Sequence, residues 1–152
     1  MAIISTSRTQ AALAAIANIA GDGLEDSQAA IAATEQVWTH AFGAATAACS
    51  AATRQIVFRA PYACTLLDVT ASLAVASTVG LPTFDILKNG TTMLSTGLTI
   101  DVSELTSVTA ATPKVISVTS IAADDEITVT CSIVGTSAVG LKLNFKVRRT
   151  AT

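Results

Sequence analysis

One histidine, three cysteines and a run of three carboxylates are the residues whose chemistry could go beyond packing in this chain. His40 is the only side chain with an ordinary pKa near neutrality, so a Ser-His-Asp arrangement must use it. No G-x-S-x-G turn occurs that would expose a serine nucleophile. His40 is therefore expected at the surface or at a subunit contact. Cys49, Cys64 and Cys131 form no C-x-x-C pair, and His40 has no partner at ligand spacing, whereas structural zinc needs four clustered ligands. The three are expected as small buried or half-buried thiols in a reducing compartment, with a single disulfide left open. Asp124-Asp125-Glu126 has the carboxylate density that glycoside hydrolysis or calcium binding uses. It lacks the glycine and distal glutamate of an EF-hand loop and reads as a solvated turn before a strand. Lys142, Lys146, Arg148 and Arg149 lie largely on one side of the last strand, where positive charge solubilises an exposed face or meets an acidic partner. There is no Gly-rich phosphate loop and no interleaving of bases with aromatics. The expectation is a non-enzymatic protein with no catalytic residues, no cofactor and no metal.

Composition points the same way. The 152 residues carry a net charge of −2 and are only 13% charged, against about 25% in ordinary soluble domains. So weak a field argues against nucleic acid or a membrane surface as partner. Hydrophobic residues reach 51% but aromatics only 4%, so small aliphatics supply much of the apolar content. No run reaches the roughly 20 apolar residues that span a bilayer. Ala11–Ala17, behind Arg8, has the shape of a weak secretion signal but is broken by Asn18. With few charges, outward strand positions fall to Thr, Ser and Ala, and neutral faces self-associate unless covered. A protein that lives in an assembly is expected.

Two regimes divide the chain near residue 53: a helical anchoring arm and linker over 1–53, and a β-sandwich over 54–152. Ser7-Arg8-Thr9-Gln10 is a capping-box pattern, Ala11 to Ala20 has high helix propensity, and Gly21-Asp22-Gly23 stops it. A second helix is predicted from Leu24 to about Thr39, with acids in its first turn. Leu24, Ile31 and Trp38 recur in it at seven-residue spacing, a stripe that could pack on the chain's own sheet or on another copy. Gly43 to Ala52 reads as a linker. Such Ala-rich helices gain little from burial, so docking onto neighbouring subunits or a larger surface is expected to order the arm. Leu13, Ile16, Ile19, Leu24, Ile31 and Trp38 are the expected anchoring or intersubunit residues.

Beyond residue 53 the period is two. Val69, Ala71, Leu73 and Val75 alternate with smaller or polar residues, as do Ile127, Val129, Cys131 and Ile133, and Leu141, Leu143, Phe145 and Val147. Further runs are Gln55–Arg59, Leu98–Val102 and Lys114–Val118. Asn89-Gly90 suits the positive φ angles of a type I′ hairpin that pairs Ile86 with Met93. About eight short strands suit a mainly β, antiparallel sandwich of jelly-roll type. The immunoglobulin-like alternative lacks its Cys…Trp…Cys pattern.

Five segments carry a resemblance to the jelly-roll domains of tailed-bacteriophage virion structural proteins. They are Phe58-Arg59-Ala60-Pro61-Tyr62-Ala63-Cys64-Thr65-Leu66, the hairpin Asp85 to Thr96, Leu98-Thr99-Ile100-Asp101, Thr109-Ala110-Ala111-Thr112-Pro113, and Asp124-Asp125-Glu126-Ile127-Thr128-Val129. The resemblance runs from Val57 to about Leu143 and implies a head decoration, cement or spike protein, or a fibre head, commonly a homotrimer. It implies a virion location after assembly in the host cytoplasm, with the major capsid protein or another virion protein as partner, and brings no catalytic residues. A tail-fibre or receptor-binding tip is the alternative, and a carbohydrate-binding module a third.

Overall fold

The structure is a computed structural model that describes residues 35–150. The helix expected over Ala11–Ala20, and Leu13, Ile16, Ile19, Leu24 and Ile31, lie outside the described residues. The fold is mainly β, built of antiparallel sheets that include a curled half-barrel. Its strands are β1 (Glu35–Ala41), β2 (Ala52–Arg59), β3 (Cys64–Ser72), β4 (Thr83–Lys88), β5 (Thr91–Thr92), β6 (Leu94–Thr96), β7 (Leu98–Thr99), β8 (Val115–Ile116), β9 (Ser120–Ile121), β10 (Glu126–Ile133) and β11 (Lys142–Arg149). One sheet has the order β1-β11-β3-β9 and the other β2-β10-β4-β5, with β7 also on β4. A small pair joins β6 to β8. β1 to β4 therefore alternate between the two sheets, as do β9 to β11.

Period two explains the core. Ile127, Val129 and Cys131 of β10, and Leu143, Phe145 and Val147 of β11, are buried in one cluster with Val69 and Ala71 of β3 and Phe84 and Ile86 of β4. Residues from both sheets in a single cluster mean that the sheets face each other across it. The Asn89-Gly90 hairpin forms as predicted: φ is 48° at Asn89 and 83° at Gly90, and Leu87 pairs with Thr92. The amide of Met93 then donates to the Ile86 carbonyl at 2.7 Å.

Two expectations are corrected. Residues 35–39, assigned to a second helix, are strand: all seven residues of β1 pair with β11, from Glu35 opposite Arg148 to Ala41 opposite Lys142. Val37, Trp38 and Thr39 are β-branched or aromatic and suit a pleated edge. The β domain thus begins by Glu35, and a division at residue 53 cuts through it. The segment read as a linker is also stitched down. Phe42 N–H donates to Leu141 O at 2.9 Å, Cys49 N–H to Ala138 O at 3.0 Å, and Gly140 N–H to Ala47 O at 2.9 Å.

Gly140 makes that last contact possible. Its φ is +70°, and a Cβ there would lie 2.5 Å from Ala74 Cβ and overlap the Ala45 carbonyl. Gly140→Ala is expected to destabilise the fold by about 3 kcal/mol, the sum of left-handed strain and overpacking. Gly90, at φ +83° with open space around it, is the control. Its alanine variant costs only the backbone term, about 1–2 kcal/mol. Urea midpoints of the two variants measure the difference, and equal losses would show that the 44–48 loop yields freely.

Candidate interaction surfaces

β1 and β2 are edge strands of different sheets, and between them the two sheets are bridged only by side chains. Gln36, Trp38 and His40 are the half-buried positions of β1, alternating with exposed Glu35, Val37, Thr39 and Ala41. The His40 ring stacks on Phe58 of β2 at 3.8 Å between centroids and 14° between planes. Trp38 meets Phe58 edge-on at 6.0 Å and Tyr62 at 5.5 Å. Phe145 closes the cluster from below, 5.3 Å from Phe58 and 6.0 Å from His40. Polar tips are satisfied sideways: the Trp38 indole N–H donates to Tyr62 Oη at 3.1 Å, and the Tyr62 hydroxyl donates to Gln36 Oε1. The Arg149 guanidinium lies 5.0 Å over the Tyr62 ring, a cation–π contact. An open depression of about 340 Å³ remains, lined by Trp38, Thr39, His40, Phe58, Arg59 and Pro61.

Trp38, expected as an anchoring or intersubunit residue, therefore packs within its own chain. His40 is half-buried and lines the open depression. Burial pushes the His40 imidazole below its ordinary pKa, because the charged ring loses water against Phe58. Below about pH 6.5 the unfolded chain takes up a proton that the folded chain resists, so stability falls as pH drops through that value. Above it the contribution is fully present. His40→Phe keeps a stacking ring and is expected to flatten the stability profile between about pH 5 and 7. Urea midpoints across that range test this; an unchanged slope would assign the titration elsewhere.

All three cysteines are buried and free. Burial, with Asp125 nearby, raises the Cys64 thiol to about 11, and burial with Cys49 beside it raises Cys131 to about 11. These are inert thiols. Among the described residues no group of three or more His, Cys, Asp or Glu is arranged to hold a metal ion. Nor is any helix there long and apolar enough to cross a membrane.

The acidic turn serves the fold. Asp125 accepts from Asn89 Nδ2 at 2.7 Å and from the Ala122 amide at 2.7 Å, while Asn89 Oδ1 accepts from the Glu126 amide at 2.9 Å. The Ala122 amide, and then Asn89, hold the Asp125 carboxyl below its usual range. Arg54 pairs with Glu126 at 3.1 Å and Arg59 with Asp124 at 3.5 Å. On the β1–β11 face, Glu35 receives Lys146 at 2.5 Å and Arg148 at 3.1 Å, which lower its pKa in that order. The basic cluster is thus partly neutralised inside the chain.

The opposite end is apolar. Loops 73–82, 101–109 and 134–140 are joined there by bridges between Val75 and Val139 and between Val79 and Thr136, and by Ser103 N–H donating to Ser77 O at 2.8 Å. Val75, Val79, Leu81, Val102, Leu105 and Val108 are exposed, Val108 by 71%. The acids present turn inward: Asp101 accepts from the Ala111 amide at 2.8 Å, and Glu104 from the Thr109 hydroxyl. One end therefore carries charge and the other carries aliphatic surface. Comparison of the chain with protein families, with characterised proteins and with solved structures gives no match.

Proposed function

We propose that this chain is a non-enzymatic virion structural protein of a tailed bacteriophage, a head decoration, cement or spike protein with a jelly-roll domain. Strand order is the observation that carries the reading. The sheet orders β1-β11-β3-β9 and β2-β10-β4-β5, with β1 to β4 and β9 to β11 alternating between the two sheets, support a jelly-roll connectivity of two Greek keys. The weakly charged exterior and the aliphatic loop end favour a protein covered by neighbours. In this proposal three copies form a closed ring and Leu13, Ile16 and Ile19 contact the major capsid protein. Binding only the assembled shell stabilises it by mass action, with no turnover.

Light scattering on the purified protein tests the assembly. About 46 kDa, three times the 15.4 kDa chain, is expected for the trimer. Co-sedimentation with shells tests attachment, which Leu13→Asp and Ile16→Asp should abolish. A monomer that stays monomeric on shells, or attachment indifferent to both substitutions, overturns the proposal. A receptor-binding tip of a tail fibre is the second reading. It draws on the aliphatic loop end, which lies at the far end of β1 from Glu35, where the amino-terminal segment joins. Labelled antibody on particles separates head from tail.

A further inference from the structure

We propose that Asn89 is a latent site of spontaneous covalent modification, at which asparagine becomes aspartate or isoaspartate, and that the acidic turn 122–126 holds it unreacted in the folded chain. Asn89-Gly90 is the one Asn-Gly pair in the sequence. In such a pair the Gly90 backbone nitrogen attacks Asn89 Cγ. The N–Cγ bond forms as the amide proton passes to solvent base, the Cγ–Nδ2 bond breaks, and ammonia leaves with a proton from water. Water then opens the five-membered imide. Cleavage of the N–Cγ bond gives aspartate, and cleavage at the Asn89 backbone carbonyl gives isoaspartate. The sum consumes one water and releases one ammonia, with no oxidant and no cofactor. Glycine suits the attack because no side chain shields its nitrogen. Both turn residues are exposed, and a Cβ built on Gly90 would meet nothing within 4 Å.

Ring closure needs rotation about the Asn89 side-chain and backbone bonds until Cγ reaches the Gly90 nitrogen. Three hydrogen bonds oppose that rotation. Asn89 Nδ2 donates to Asp125 Oδ1 at 2.7 Å, the Glu126 amide donates to Asn89 Oδ1 at 2.9 Å, and the Asn89 amide donates to the Glu126 carbonyl at 2.8 Å. Both ends of the side-chain amide are thus committed to residues 125 and 126. Asp125 is itself fixed, since its Oδ2 accepts from the Ala122 amide at 2.7 Å. Hydrogen bonds to a carboxylate are among the stronger kind, so a conformer able to cyclise must first break them, and its population sets the rate. The product does not fit the same partners. A carboxylate at position 89 has no N–H to offer Asp125 and sets two negative groups where a donor met an acceptor. Isoaspartate also lengthens the turn backbone by one methylene. Conversion therefore cuts the β4–β5 hairpin loose from the acidic turn, and loss of ammonia makes the change one-way. The chemistry is the same inside or outside a virion.

The test incubates the full chain in mildly alkaline buffer, natively and in guanidinium, and then digests it with pepsin in acid, where imide formation is slow. Mass spectrometry of the peptide spanning Asn89 reads the small mass gain as the amide becomes an acid. Enzymatic methylation of isoaspartate in that peptide reports the imide route, because direct amide hydrolysis gives aspartate alone. Confining the readout to that peptide excludes Asp22-Gly23, a second sequence at which isoaspartate forms. Conversion in the folded chain is expected to be slower than in guanidinium by about tenfold or more. Asp125→Ala, shown to be folded by a cooperative urea transition, should convert about tenfold faster than wild type. Asp124→Gly removes an ion pair to Arg59 but no contact to Asn89, and should match wild type. Where Asp125→Ala does not fold, Asp125→Asn, with one acceptor oxygen in place of two, takes its part. Equal rates in the folded and unfolded chain, or an unfolded chain that forms no isoaspartate at Asn89, overturn the proposal. A folded Asp125 variant that converts at the wild-type rate, or Asp124→Gly converting as fast as the Asp125 variant, equally overturns it.

Discussion

Removal of residues 1–34 is expected to leave a chain that unfolds in one cooperative transition, whereas removal of residues 1–53 leaves one that does not fold. The longer deletion takes away β1, and with it a partner paired to β11 along all seven of its residues. Trp38, His40 and Phe42, which pack on the core or its aromatic rim, go too, and so does buried Cys49. Burying one large apolar side chain contributes about 1.5–3 kcal/mol, so these losses rival the whole stability of an ordinary domain, about 5–15 kcal/mol. β11 would also become an open edge, with Phe145 uncovered beside it.

Circular dichroism and urea titration of the two truncations decide the matter. A native-like, cooperative Δ1–53 would mean that β1 is dispensable and that the domain begins where the alanine-rich composition ends. The distinction governs how attachment is tested. Under the proposed function, loss of shell binding in Δ1–53 would follow from unfolding alone, while the same loss in Δ1–34 would support the proposed anchoring role of the amino-terminal segment.

The two truncations differ because of a strand that sequence patterning hides. β10 and β11 are legible: every inward position of Ile127–Cys131 and Leu143–Val147 is apolar, and one buried face imposes period two. β1 has the same alternation, but its inward positions are Gln36, Trp38 and His40. Two of the three are polar, and they are satisfied by partners distant in sequence, Tyr62 and Phe58. Counting large apolar residues alone finds Leu24, Ile31 and Trp38 and suggests a helix stripe. β3 shows a second limit. A register shift opposite Lys146/Val147 changes the phase, so Cys64 and Leu66 face inward before it and Val69 and Ala71 after it. Strict alternation therefore finds only the later half.

The aromatic opening was not legible, because β1, β2, the Tyr62 loop and β11 meet only through register. Its one signal was scarcity: four of the six aromatic residues, Trp38, Phe58, Tyr62 and Phe145, are in it. Likewise, the lock between Asn89 and the acidic turn depends on the β4–β10 register that sets Lys88 opposite Ile127. Hairpin chemistry explains Asn89-Gly90 locally and says nothing of that second partner.

Phe145→Ala is expected to cost about 3–5 kcal/mol and, unlike other core truncations, to change the environment of Trp38. Phe145 is 1% exposed, lies directly opposite Trp38 in the β1–β11 ladder, and meets the edges or faces of Phe58 and His40. Cross-strand partners on one face stand close enough to touch, so a cavity at Phe145 lets both the indole and the Phe58 ring move. Phe84 is the comparison: it is 0% exposed, sits on β4, and belongs to the core away from the opening. Phe84→Ala should lose about as much stability and leave Trp38 emission unaltered in the folded state. A double-mutant cycle of Phe145 with Phe58 should show coupling of about 0.5–1.5 kcal/mol, against none for Phe84 with Phe58. Equal effects of the two truncations on Trp38 would mean that the opening is an appendage of the core. The expected difference makes it a continuation of the core through the β1–β2 gap, so that whatever covers Trp38 stabilises both sheets at once.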